Sequence, residues 1–268
     1  MKLFIKIFLL LLLPAFVKAQ QQHKQLDSLR IALGNADNDS IRMDVYDQLA
    51  YYFFEVTADS SLLYAEKELQ IARHLNMKIC EANALAHQGY DLTGLINYPK
   101  ALESFLEAQK IVENPASEKT VWHFSNSLTP REVRISVLNT NQYLLALLYS
   151  AVGNRDKMMS SYLKAKIYAE SIRDTAAIGF IYWQLGGDYQ NQGKLDSALL
   201  FVQKALFYFS KSNISFRDRR YGGRTYVGGV YNSIGDIYQR KGNFDSALSA
   251  LRKAEQINIE TNNPWGLG

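Results

Sequence analysis

Four arginines crowd the stretch 211–226: Arg217, Arg219, Arg220 and Arg224, interleaved with Tyr221 and Tyr226. A guanidinium presents a rigid fork of donors that grips carboxylates and phosphates two-pronged. The stretch could therefore hold a carboxylate, a phosphate or a sugar acid. A solvated loop without a ligand accounts for the same residues, and both readings stay open. The remaining reactive side chains assemble into nothing catalytic. His23, His74, His87 and His123 lack metal-ligand spacing, so no metal is expected. Cys80 stands alone and has no nucleophile signature around it. Gly222-Gly223 and Gly228-Gly229 are not followed by the Gly-Lys-Ser/Thr of a phosphate loop. Asp44 and Asp47 fall on one helix face and are most simply solvated. Binding is the expected activity, with no catalysis and no cofactor.

The charge balance narrows the class of partner. Met1-Lys2 and Lys6 open a basic start, Ile7 to Val17 is apolar apart from Pro14, and Val17-Lys18-Ala19 supplies small residues for a signal peptidase. Residues 1–19 read as a secretory signal, cut before Gln20, with an apolar core too short to span a bilayer well. Removing Lys2, Lys6 and Lys18 lowers the basic residues from 30 to 27 against 26 acidic ones, a net charge of +1. That field would not favour nucleic acid. An exported, periplasmic or otherwise extracytoplasmic location is expected. Membrane attachment would come only through the signal or a C-terminal continuation. A single cysteine allows no intrachain disulfide, so stability must come from packing. A composition of 47% hydrophobic and 12% aromatic residues can supply it.

The elements that would position these residues form a repeat. Tyr182-x-x-Leu185-Gly186-x-x-Tyr189, then Gly193, Ala198, Val202 and Ala205, recurs as Tyr231-x-x-Ile234-Gly235-x-x-Tyr238, then Gly242, Ala247, Leu251 and Ala254. Weaker copies run through Gly89, Ala101, Phe105 and Ala108, and through Ala146, Tyr149, Gly153, Met158, Tyr162 and Ala165. The earliest holds Leu49-Ala50-x-x-Phe53, Ser61, Ala65 and Glu68. Apolar and small residues three and four apart make a helical stripe. Each unit is therefore a pair of antiparallel helices. Gly193 and Gly242 are expected to make left-handed turns, and Asp196 and Asp245 to cap the second helices.

The motif resembles the tetratricopeptide repeat, W-x2-L-G-x2-Y followed by A-x3-F and P, with Tyr182 and Tyr231 in the Trp position and the closing Pro missing. The resemblance implies an all-α fold, a right-handed superhelical solenoid of antiparallel helix pairs. Five repeats would fill 42–261. Ser61 to Ala101 and Met158 to Ala198 are each 40 residues apart, whereas Ala101 to Met158 is 57 and Ala198 to Ala247 is 49. The period is thus longer than the usual ~34 residues, with insertions near 115–131 and 211–226. Trp122-His123-Phe124 in the first insertion could cap a ligand or plug the nearest repeat. Residues 20–41 read as a capping helix through Leu26, Leu29 and Leu33, with its linker. Residues 262–268 match the opening of a further repeat, so a longer protein is expected.

The resemblance also implies that first helices line an inner groove that takes a protein or peptide. Carried over position by position, the lining is Asp47, Tyr51 and Glu55; His87 and Tyr90; Tyr143 and Leu147; Trp183, Gln190 and Asn191; and Asn232, Asp236, Gln239 and Arg240. Aromatic, amide and charged groups together suit peptide binding, although the aromatics could equally pack between helices. A chaperone-type carboxylate clamp needs Lys and Asn where this chain has Asp47, Ala86, Tyr143, Trp183 and Asn232, and only Asn232 fits. The signal, the long period and the Asp-Ser-Ala-Leu openings at 196–199 and 245–248 are similar to the extracytoplasmic sensor regions of bacterial membrane histidine kinases and transcription regulators. The sensory portion of a membrane signalling protein is therefore expected, with a free periplasmic adaptor as the alternative.

Overall fold

Helix 24–34 (α1) precedes five helix pairs, in a computed structural model that describes residues 24–54, 56–120, 128–211 and 224–261. The signal segment, Glu55, Trp122 to Phe124, Arg217, Arg219, Arg220 and residues 262–268 lie outside the described residues. The helices are α2 (Asp39–Phe53), α3 (Ala58–His74), α4 (Lys78–Gly94), α5 (Tyr98–Glu113), α6 (Pro130–Ala151), α7 (Arg155–Ser171), α8 (Thr175–Asn191), α9 (Leu195–Ser210), α10 (Arg224–Arg240) and α11 (Phe244–Glu260). There is no strand among the described residues, and the only other element is a 3-10 turn at Pro115–Thr120. The chain divides into two compact units, Met1–Trp122 with Ala151–Gly153, and His123–Ser150 with Asn154–Gly268.

Within the first unit α2 packs on α3, α3 on α4 and α4 on α5. Leu29 of α1 joins Val45 and Leu49 of α2 in one core cluster, with Leu26 and Leu33 against it. The 3-10 turn lies against α4 and α5. Its Thr120 hydroxyl accepts from the Lys78 backbone N–H at 3.1 Å, satisfying an orphan donor at the start of α4. Residues 115–120 therefore pack onto α4 and α5.

In the second unit α8 packs on α9 and α10 on α11, with α10 also against α9. The same device closes the pairs in both units. A Cβ on Gly186 would lie 2.6 Å from Val202 Cγ1, one on Gly235 2.8 Å from Leu251, and one on Gly89 2.8 Å from the Phe105 ring. Each first helix thus leaves a gap that a side chain of its second helix fills, and a missing Cβ sets the approach. α6 starts on a capping box: Thr129 Oγ1 accepts from Glu132 N–H at 3.3 Å while Glu132 Oε2 accepts from the Thr129 N–H at 2.8 Å. Those bonds, the backbone one first, hold the Glu132 carboxyl below its ordinary range. Deeper in α6, Asn139 Nδ2 donates to the Ala165 carbonyl at 2.7 Å, tying α6 to α7.

Two turn features depart from expectation. Asp196 and Asp245 do not cap their helices. The cap residues are Lys194, which makes no side-chain cap bond, and Asn243, whose side chain accepts from Ser246 N–H. The helices begin two residues earlier than caps at the acidic positions would place them, so both aspartates sit inside the first turn, where a negative charge meets the positive helix end. Asp196 there accepts from Lys241 at the end of α10. The second departure is at Ile96. Gly153, Gly193 and Gly242 take φ values of 71°, 72° and 74° in their turns, as a left-handed turn requires. Ile96 takes φ 62° at the equivalent place. A β-branched residue is strained there by about 1–2 kcal/mol. Its side chain is largely exposed, so little packing opposes the change. Ile96→Gly is expected to raise stability by about 1 kcal/mol in urea unfolding.

Candidate partner-binding face

The first helices of the last two repeats, α8 and α10, lie side by side and are tied by polar groups from both. Trp183 Nε1 donates to Ser233 Oγ at 2.8 Å. Its ring sits where a Cβ on Gly229 would come within 2.6 Å, and Phe180 and Phe209 flank it with centroids 6.3 Å away. Two turns further along α8, Gln190 donates to Asp236 of α10. Asp236 also pairs with Arg240 at 3.3 Å, one turn on. Asn191 is exposed at the end of α8, and Asn232 is half-buried on α10. The polar members therefore form a line, Gln190, Asp236 and Arg240, with amide groups beside it. Trp183 is the strut that holds the two helices in register.

The upstream lining residues divide differently. Tyr143 of α6 accepts from Gln184 Nε2 at 3.0 Å and lies edge-on to Phe180, with centroids 6.4 Å apart. It is half-buried, between α6 and α8. Beneath it Tyr162 is buried, and burial pushes its hydroxyl pKa up, with Tyr143 and Asp188 adding to the effect. In the first unit Phe54 stacks on Tyr90 with centroids 3.9 Å apart and on Tyr51 at 6.2 Å. These aromatics are already engaged with their neighbours. The polar residues at the ends of α8 and α10 are the more accessible part of the set.

His87 and Asp47 do not behave as simple lining. His87 is only 7% exposed, and its Nδ1 lies 3.8 Å from Asp47 Oδ1. Asp47, expected to be solvated like Asp44, instead accepts from Asn83 Nδ2 at 3.2 Å. Asp44 pairs with Gln48 at an exposed site. Glu68 of α3, 2% exposed, completes a group in which one ligand atom each from Asp47, Glu68 and His87 lies within 4.8 Å of the others. No motif spacing announces this group, because each member comes from a different helix. One signal was present. Glu68 occupies the position held by Ala108, Ala165, Ala205 and Ala254 in the other copies. Arg224 is the first residue of α10.

Comparison with known proteins bears on the repeat itself. A family model described as a tetratricopeptide repeat matches residues 229–258. The chain has the tetratricopeptide-repeat fold. The matched segment covers most of α10 and α11, including Gly235 and the Leu251 side chain that fills its gap. Solved tetratricopeptide-like structures share the architecture at low identity. BtubC (BKLC) from P. vanneervenii is 16% identical with a TM-score of 0.57, covering 91% of each chain. The apo form of RapI is 14% identical with a TM-score of 0.52, covering 94% of this chain and 95% of that one. The nearly identical repeats of a Podosopora anserina putative kinesin light chain are 13% identical with a TM-score of 0.50, covering 85% and 99%. No curated protein matches the sequence. Among the described residues no helix is long and apolar enough to cross a membrane.

Proposed function

We propose that the chain is an extracytoplasmic module that binds a protein or peptide on the first-helix face of α8 and α10, as the sensory portion of a membrane signalling protein. The observation that carries the binding site is the line of Gln190, Asp236 and Arg240, flanked by Asn191 and Asn232, on adjacent helices held in register by Trp183. Backbone amides and carbonyls of an extended peptide can exchange with such a row of donors and acceptors. Half-buried Trp183, two turns back along α8, adds an aromatic surface on the same helix. The repeat fold supports a scaffold role. Export is supported by the basic, then apolar, then small-residue order of residues 1–19.

The test uses a partner recovered from extracytoplasmic extract and then purified. The double variant Gln190→Ala/Asp236→Ala is expected to bind it at least tenfold more weakly, the effect of losing about 1.4 kcal/mol. Its circular dichroism should match the parent. Equal affinity in the two proteins would remove this face as the site. A partner that is a domain of the same polypeptide favours the sensor. A separate soluble partner favours a free adaptor.

A further inference from the structure

The group formed by Asp47, Glu68 and His87 asks what a buried glutamate is doing between α3 and its neighbours. The copies show what that position normally holds. Ala108, Ala165 and Ala205 are fully buried there, Ala254 is 1% exposed, and none brings a polar atom. Glu68 is as buried as they are, at 2% exposed. A carboxylate at such a place must be matched by a cation and by fixed donors. His87 comes from α4 and Asp47 from α2, so the second carboxylate arrives with the imidazole. If all three side chains were ionised, the set would carry one excess negative charge. A divalent ion with a neutral imidazole makes the set neutral.

We infer that Asp47, Glu68 and His87 form a binding site for a divalent transition-metal ion of the zinc type. The donor chemistry selects the class. One imidazole nitrogen with two carboxylate oxygens suits Zn2+ and Co2+, whereas Ca2+ and Mg2+ favour all-oxygen shells. Three protein ligands leave one position of a tetrahedron for water or an incoming group. The donor atoms, within 4.8 Å of one another, need only side-chain rotation to reach the roughly 3.3 Å separations of a tetrahedral zinc shell. Asn83, one turn before His87 on α4, already donates to Asp47 Oδ1, the kind of outer contact that orients a metal-binding carboxylate. The Asp47 side chain keeps 23% of its surface exposed, so an ion has a way in on the α2 side. The site joins α2, α3 and α4, and would lock the first repeat to the second.

Titration of the purified, metal-stripped full chain with Zn2+ alone, followed by calorimetry, tests the site. Co2+ uptake, read from its visible absorption, gives a second signal. The parent is expected to take up one equivalent tightly. The Tm should rise by roughly 5–10 °C at a hundredfold excess over Kd. Glu68→Ala should keep its helicity, because alanine is what the other copies place there, and lose at least a hundredfold in affinity. His87→Gln, which installs the residue found at Gln184 in the equivalent position, should do the same. Asn83→Ala should lose about 10–100-fold. A parent that takes up no equivalent of either ion overturns the inference. So does uptake that survives in both Glu68→Ala and His87→Gln, because the ion then sits elsewhere in the chain.

Discussion

Asp91→Asn is expected to be more stable than the parent above pH 7, by up to about 4 kcal/mol, and to match it near pH 4. Asp91 lies on α4, one turn after His87, and is 1% exposed. Burial pushes its carboxyl up to about 7, and the neighbouring Ser61 side chain of α3, whose hydroxyl donates to the Ala50 carbonyl, pulls the other way. The folded chain therefore holds a proton that the unfolded chain releases near its ordinary value of 3.8. Between those two values the folded state binds more protons than the unfolded one, so stability falls as pH rises. The loss is complete above about 7. Below about 4 the carboxyl is protonated in both states and carries no penalty. Asparagine fits the same space without a charge, so the variant should lose this slope. Urea unfolding of both proteins from pH 4 to pH 8.5 measures it. A variant whose stability follows the parent's in parallel over that range would show that Asp91 is not the source.

Phe105→Ala is expected to cost about 3–5 kcal/mol. The Phe105 side chain is wholly buried in α5 and sits against Gly89 of α4. Truncation leaves a cavity at the centre of a helix pair whose closeness depends on that ring. The neighbouring glycine gives the prediction a second arm. Gly89→Ala alone would drive a Cβ to 2.8 Å from the ring and should also destabilise. In the Phe105→Ala background the same methyl enters the cavity, and alanine favours the helix. The double variant should therefore be more stable than Phe105→Ala alone. A double-mutant cycle by urea unfolding reads the coupling, and additive losses would contradict the packing described.

The helix pairs were legible because their packing rule is local. Gly186 and Val202 lie in one repeat, and the same spacing returns at Gly235 and Leu251. The residues that cross between repeats were not legible in the same way. Trp183 looks like a groove aromatic until its indole is seen to donate to Ser233, fifty positions away in the chain. Asp196 and Asp245 look like caps because aspartate is a good cap. The capping residue is set by where the backbone enters the helix, two positions before the residues expected. Ile96 hides a left-handed turn because its repeat has no glycine there. Asp47, Glu68 and His87 come from three helices, and only the misfit of Glu68 among alanines could have pointed to them. Arg217, Arg219 and Arg220 lie outside the described residues, and an anion site there remains a proposal from sequence.

The proposed partner docks on α8 and α10, the first helices of the last two repeats. Photo-crosslinking residues placed one at a time at Asn191 and Asn232, and at Leu200 and Phe207 on the second helix α9, test it most directly. Leu200 and Phe207 are each 51% exposed, so crosslinking there is not limited by access. Crosslinks to the partner from Asn191 and Asn232, with none from Leu200 and Phe207, are the predicted result. Crosslinks confined to Leu200 and Phe207 would contradict it and move the binding surface to the second helices.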